Sequence, residues 1–194
     1  MSDPDSVENL LFNETSRRNT DLVAGLIYEK PDLFNDIARI MLKNEEPFSR
    51  RAAWVMDTVS EQNPSLLEPW IPAIVDMLEK FSHDGMKRHS LRMLSRSEFP
   101  VASMVKIMNL CFDWLISPSE SVAVKVYCMD LLYRISLSES GIREELRDSI
   151  EWRISEETPG FRNHGMKILK KLSKDLRDLH SAKEPAKKPF NGKG

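Results

Sequence analysis

Four histidines (His83, His89, His164, His180), two cysteines and scattered carboxylates are the residues through which this 194-residue chain could hold a metal or move a proton. Their spacing argues against both. Metal sites need ligands that converge, as in H-E-x-x-H or paired Cys-x-x-Cys, and no such pattern is present. Nor is there a glycine-rich phosphate loop, a G-x-S-x-G elbow or a dinucleotide fingerprint. Cys111 and Cys128 lie inside apolar helical patterns, where a thiol is a small core group, with no disulfide framework. The expectation is a non-catalytic chain with no metal and no cofactor.

Binding chemistry is better represented. Arg50, Arg51, Lys87, Arg88, Lys125 and Arg162 recur along the chain near apolar stripes. Two readings compete for them. They form a row of cations for a phosphate or acidic peptide, or they pair with the nearby acids Glu46, Asp84, Glu120 and Glu157 and fix the register of neighbouring helices. Trp54 and Asp57, close to Arg50 and Arg51, add an aromatic surface and a carboxylate, the groups that would surround an extruded nucleotide. Asp113-Trp114 is a second such pair, but beside Cys111 and Leu115 it reads as packing.

Helices must position these groups. Seven glycines against ten methionines, with 30% charged and 41% hydrophobic residues, favour an all-α globular chain. Apolar periodicity of 3.6 predicts helices near 6–13, 19–29, 31–43, 48–62, 66–80, 83–96, 100–116, 119–136, 141–155 and 159–178. Pro31, Pro47, Pro64, Pro100, Pro118 and Pro159 stand at or before helix starts, with Ser49, Ser82, Ser119 and Ser140 as candidate caps. No apolar run reaches the ~18 residues of a membrane span. The acidic start MSDPDSVENLLFNE lacks the features of a secretory signal, so a cytoplasmic location is expected. Residues 179–194, with their lysines and prolines, are expected to form a flexible basic tail.

Internal repetition sharpens this picture. Small residues in alternate helices, Ala53, Ser90, Cys128 and Gly165, are spaced by 37, 38 and 37. Three residues before each stands a base: Arg50, Lys87, Lys125 and Arg162. Four before stand Ser49, Met86, Val124 and Phe161, and three after stand Met56, Met93, Leu131 and Ile168. Positions −4, 0 and +3 make one helical stripe, so every copy buries the same face, with the base at its edge. His89 and His164 share the position just before the small residue, on helices separated by the one that carries Tyr127.

The segments MKRHSLRML, VKVYCMDLL and FRNHGMKIL resemble the second helix of a HEAT repeat. SRRAAWVMD departs from that pattern at Ser49 and Asp57. LLEPWIPAIVDMLEK is similar to a HEAT first helix, and the Gly-Phe-Arg-x-x-Gly stretch is similar to one in small bacterial HEAT-like proteins. The resemblance implies a right-handed α-α superhelix of about four helix pairs over 31–178, with residues 1–30 as a divergent cap, all in one domain. It also implies that second helices line an inner, concave binding layer. By that assignment the inner helices hold 14 bases and 7 acids, whereas the outer segments hold 7 bases and 16 acids. The net charge of −2 hides this sidedness.

The expected function is therefore a scaffold that binds an acidic protein on the inner layer. Some HEAT-like proteins grip damaged DNA, which makes nucleic-acid binding the alternative, and self-association of acidic and basic faces a third. Gly165 is expected to mark a close helix approach, where leucine is damaging and alanine is tolerated or mildly stabilising.

Overall fold

A computed structural model describes residues 7–81 and 83–183. The helices are α1 (Val7–Asn13), α2 (Arg17–Glu29), α3 (Leu33–Leu42), α4 (Phe48–Gln62), α5 (Ile71–Met77), α6 (Asp84–Leu94), α7 (Val101–Ile116), α8 (Val122–Ser138), α9 (Arg143–Ile154) and α10 (Pro159–Lys183). No strand occurs among the described residues. The helical period read from the sequence thus places each of these ten helices, with ends that differ by up to five residues.

Local differences have local causes. The span expected as one helix from 66 to 80 is broken into 3-10 turns at Pro64–Leu66 and Glu68–Trp70, then α5, then a turn at Leu78–Lys80. Pro64, Pro69 and Pro72 each lack an N–H and fit only at the start of a helical segment, so each restarts the helix. The expected caps also shift. Ser49 lies inside α4, its hydroxyl donating to the Ile40 carbonyl at 2.6 Å. His83 caps α6 instead, its Nδ1 accepting from Gly85 N at 2.9 Å. Ser119 and Ser140 make no cap bond to a helix, and Ser82 lies outside the described residues. α10 continues past the expected end at 178 to Lys183; the rest of the expected tail lies outside the described residues.

The helices stack in two layers. α2, α4, α6, α8 and α10 pack in sequence as one layer, the one the HEAT resemblance makes the inner layer, and α3, α5, α7 and α9 form the other. α1 and α2 pack on each other and on α3 and α4, so residues 7–29 continue the array as a further helix pair. The repeat stripe is buried throughout: Ala53, Ser90 and Cys128 are inaccessible, as are Met86, Val124 and Phe161 before them and Met56, Met93 and Leu131 after. Both cysteines are free thiols in this core. Burial, with a hydrogen bond to Cys111, pushes the Cys128 thiol well up.

Gly165 is buried, and its close neighbour comes from the other layer. A β-carbon there would lie 2.9 Å from Ile150 Cγ2 on α9 and 3.8 Å from Met129 Sδ on α8. A β-branched side chain in a helix has one strongly preferred χ1, so that methyl cannot rotate aside. Even a methyl there requires Ile150 to shift, which argues against the expectation that alanine is tolerated.

Candidate functional site

The six bases named from the sequence meet different fates. Lys125 is the clearest correction. It is 2% exposed, and its Nζ lies 2.5 Å from Glu157 Oε1, so it is not available to a partner. Arg153 also donates to Glu157, through Nη2 at 2.7 Å. Burial alone would raise the Glu157 carboxyl, but hydrogen bonds from Lys125 and Arg153 hold it below its ordinary value.

Lys87 repeats the arrangement one pair earlier. Its Nζ donates to Glu120 and sits 4.7 Å from the Trp114 ring centre. Each base thus reaches an acid 32 or 33 residues later, just ahead of the next inner helix. Arg50 has no such acid, because the sequence holds Ser82 at the corresponding place. It bonds Glu46 in its own repeat at 3.1 Å. Arg51 closes α1, donating to the carbonyls of Leu11 and Phe12 at 3.2 and 2.7 Å. Asp84, proposed as a partner, is exposed and makes no ion pair among the described residues.

Arg88 and Arg162 remain. Both are exposed, and neither meets a carboxylate among the described residues. Arg162 lies on α10, the last described helix of its layer, and no described residue supplies it with an acid like Glu120 or Glu157. Lys167, Lys170 and Lys174 on the same helix are likewise exposed without an ion pair among the described residues.

The array has the architecture that its periodicity announced, and the pattern of the HEAT repeat domain family matches residues 7–172. The chain belongs to the HEAT repeat domain family. The match begins within α1, in agreement with the packing of the first helix pair as part of the HEAT array. Neither the curated proteins nor the solved structures yield a match. HEAT repeats generally act as protein-interaction scaffolds. Within this HEAT protein no described helix is long and apolar enough to cross a membrane. No described cluster of His, Cys, Asp or Glu has the arrangement to hold a metal ion.

Across the inner layer of the HEAT array lies a cleft of about 230 Å³, lined by Trp54 and Asp57 from α4, Arg88, His89 and Arg92 from α6, and Tyr127 from α8. Asp57 forms its floor. It is fully buried and accepts from His89 Nδ1 at 2.9 Å, Arg92 Nη1 at 3.1 Å and Arg96 Nη2 at 2.6 Å. Burial pushes its carboxyl upward, but the His89 hydrogen bond and the charges of His89, Arg96 and Arg92 more than offset this and hold it below its ordinary value. An ionised carboxylate only accepts, so the His89 proton resides on Nδ1 and Nε2 faces Arg88 Nη2, 3.4 Å away.

The cleft revises the role expected for Asp57. Saturated by hydrogen bonds from His89, Arg92 and Arg96 and sealed from solvent, it cannot meet an extruded base. Trp54 is half-buried, its ring 6.3 Å from the His89 ring and inclined by 19°. His89, Arg92, Arg96 and Tyr127 were absent from the expected site. The signal for His89 was its repeat position, shared with His164, whose Nε2 donates to Asp130 at 2.8 Å. Each histidine thus joins a carboxylate of the preceding inner helix, which explains the shared position without co-ligation.

Proposed function

We propose that this HEAT repeat chain is a non-catalytic cytoplasmic scaffold that binds an acidic protein on its inner helix layer. The supporting observation is that Arg88 and Arg162 stay exposed with no carboxylate partner among the described residues, while Lys87 and Lys125, at the same repeat position as Arg162, are neutralised within the fold. Free cations on the layer that HEAT arrays use for recognition attract anionic partners and raise their rate of encounter. Arg88, Arg162 and the lysines of α10 are the contacts on this reading. Trp54 borders them.

The test is binding of a labelled polyglutamate peptide and of duplex DNA, followed by fluorescence anisotropy at ~0.15 M salt. Peptide binding that disappears in the Arg88→Glu/Arg162→Glu variant supports the proposal. Tight duplex binding with no peptide binding would replace it with the nucleic-acid alternative, because a groove that neutralises several phosphates holds DNA at that salt.

A further inference from the structure

The inner-layer cleft has spent its acceptors and kept its donors. Both Asp57 oxygens are occupied by His89, Arg92 and Arg96, and the two Glu61 oxygens accept from Arg92 Nη2 at 3.3 and 3.2 Å. Around the opening, the Trp54 indole N–H and the Tyr127 hydroxyl make no hydrogen bond among the described residues, and the Arg88 guanidinium has only its long contact to His89. The charges are also unbalanced. Arg88 and Arg92 line the cleft with one carboxylate, Asp57, and the wider network adds Arg96 and Glu61, so three guanidiniums meet two carboxylates. A cleft rimmed by unused donors and carrying an excess cation is complementary to an oxyanion.

Its size narrows the ligand further. A volume near 230 Å³ is below the ~300–1,000 Å³ of sites that enclose whole small molecules. It suits one anionic group presented by something larger. The flanking rings of Trp54 and Tyr127 supply rigid apolar walls for the short chain that carries that group.

We infer that this cleft is a specificity pocket for a single oxyanion-bearing side chain of a bound peptide, a carboxylate or a phosphate, with Arg88 as its ion-pair partner and Trp54 and Tyr127 as its hydrogen-bonding walls. The inference rests on the inner layer's being the binding face and names the group read there. Arg88 makes no ion pair among the described residues, so its removal should leave the fold intact, unlike removal of Arg92 or Arg96.

The experiment follows the Trp54 indole N–H resonance in ¹⁵N-labelled full-length protein during titration with hexaglutamate and, separately, with inorganic phosphate. A saturable shift in the wild type supports the pocket if Arg88→Ala weakens it by about tenfold or more and Tyr127→Phe weakens it less, as expected when a charge-assisted and a neutral hydrogen bond are lost. Stronger response to hexaglutamate assigns a carboxylate side chain, and stronger response to phosphate assigns a phosphorylated one. A Trp54 resonance unmoved by either probe overturns the inference, as does an Arg88→Ala variant that titrates like the wild type. If hexaglutamate still binds and only Arg162→Glu abolishes it, the inner-layer scaffold stands and the pocket falls. Loss of both readouts removes both proposals.

Discussion

Lys125 of α8 reaches Glu157, two residues ahead of α10, at 2.5 Å, with side chains only 3% and 6% exposed. This pair joins two repeats, and its counterpart between Lys87 and Glu120 joins the two before them. A base that looked like one rung of a binding row is a fastener between helix pairs. Removing one member of a buried pair costs more than the pair itself is worth, because the remaining charge has no solvent to return to.

Glu157→Gln should therefore destabilise the protein by about 3–5 kcal/mol, since it leaves the buried Lys125 ammonium facing a neutral amide. Lys125→Met should cost clearly less, because Arg153 still holds Glu157 and methionine preserves most of the apolar stem. Urea denaturation of the two variants decides the order. Equal losses would mean that Arg153 does not compensate.

Stability should fall in acid through Asp57 and Glu157. Both folded carboxyls lie below their ordinary values, so both bind protons more weakly folded than unfolded. Their contribution is complete above the unfolded carboxylate range of about 4 and is lost as pH falls through the lower folded values. Unfolding midpoints measured from pH 7 down to the acid limb should decline more gently in Asp57→Asn than in the wild type. That variant should also be weaker at neutral pH, where Arg92 and Arg96 lose their shared anion and His89 its acceptor. Parallel acid limbs would contradict the assignment.

Gly165→Ala should lower stability by about 1 kcal/mol. The helix-propensity gain of ~1 kcal/mol is outweighed by a methyl 2.9 Å from Ile150, where overpacking costs ~1–3 kcal/mol. Gly25→Ala supplies the comparison. Nothing lies within 4 Å of a β-carbon there, inside α2, so alanine should stabilise by up to ~1 kcal/mol. Thermal melts that show both variants stabilised would refute the close approach of α9 and α10.

Arg51→Met should free the C-terminus of α1 by removing the guanidinium bonds to Leu11 and Phe12 carbonyls. The expected loss is about 1–3 kcal/mol, concentrated in the first helix pair. Hydrogen exchange should accelerate across residues 7–13 and leave α8 and α10 unchanged. Uniform acceleration would show that the first pair unfolds only with the whole array.

The sequence by itself determined the architecture of this protein. Periodicity along one helix is a local property, and a stripe repeated at 37, 38 and 37 residues can only be buried by stacking like helices side by side. Ala53, Ser90, Cys128 and Gly165 were therefore legible as close-packed positions. What each base does was not legible, because Arg50, Lys87, Lys125 and Arg162 share a register but not a neighbour. Only the tertiary structure showed that the acids at 120 and 157 consume two of them, that Glu46 takes a third from within its own repeat, and that Arg162 at the last described inner helix meets none. The same holds for the cleft. Trp54, Asp57, Arg88, His89, Arg92 and Tyr127 come from three helices, and nothing in a one-dimensional spacing says which carboxylate is already saturated and which donors remain unused. Charge pairing across helices depends on distance in space, and that is the quantity the fold supplies.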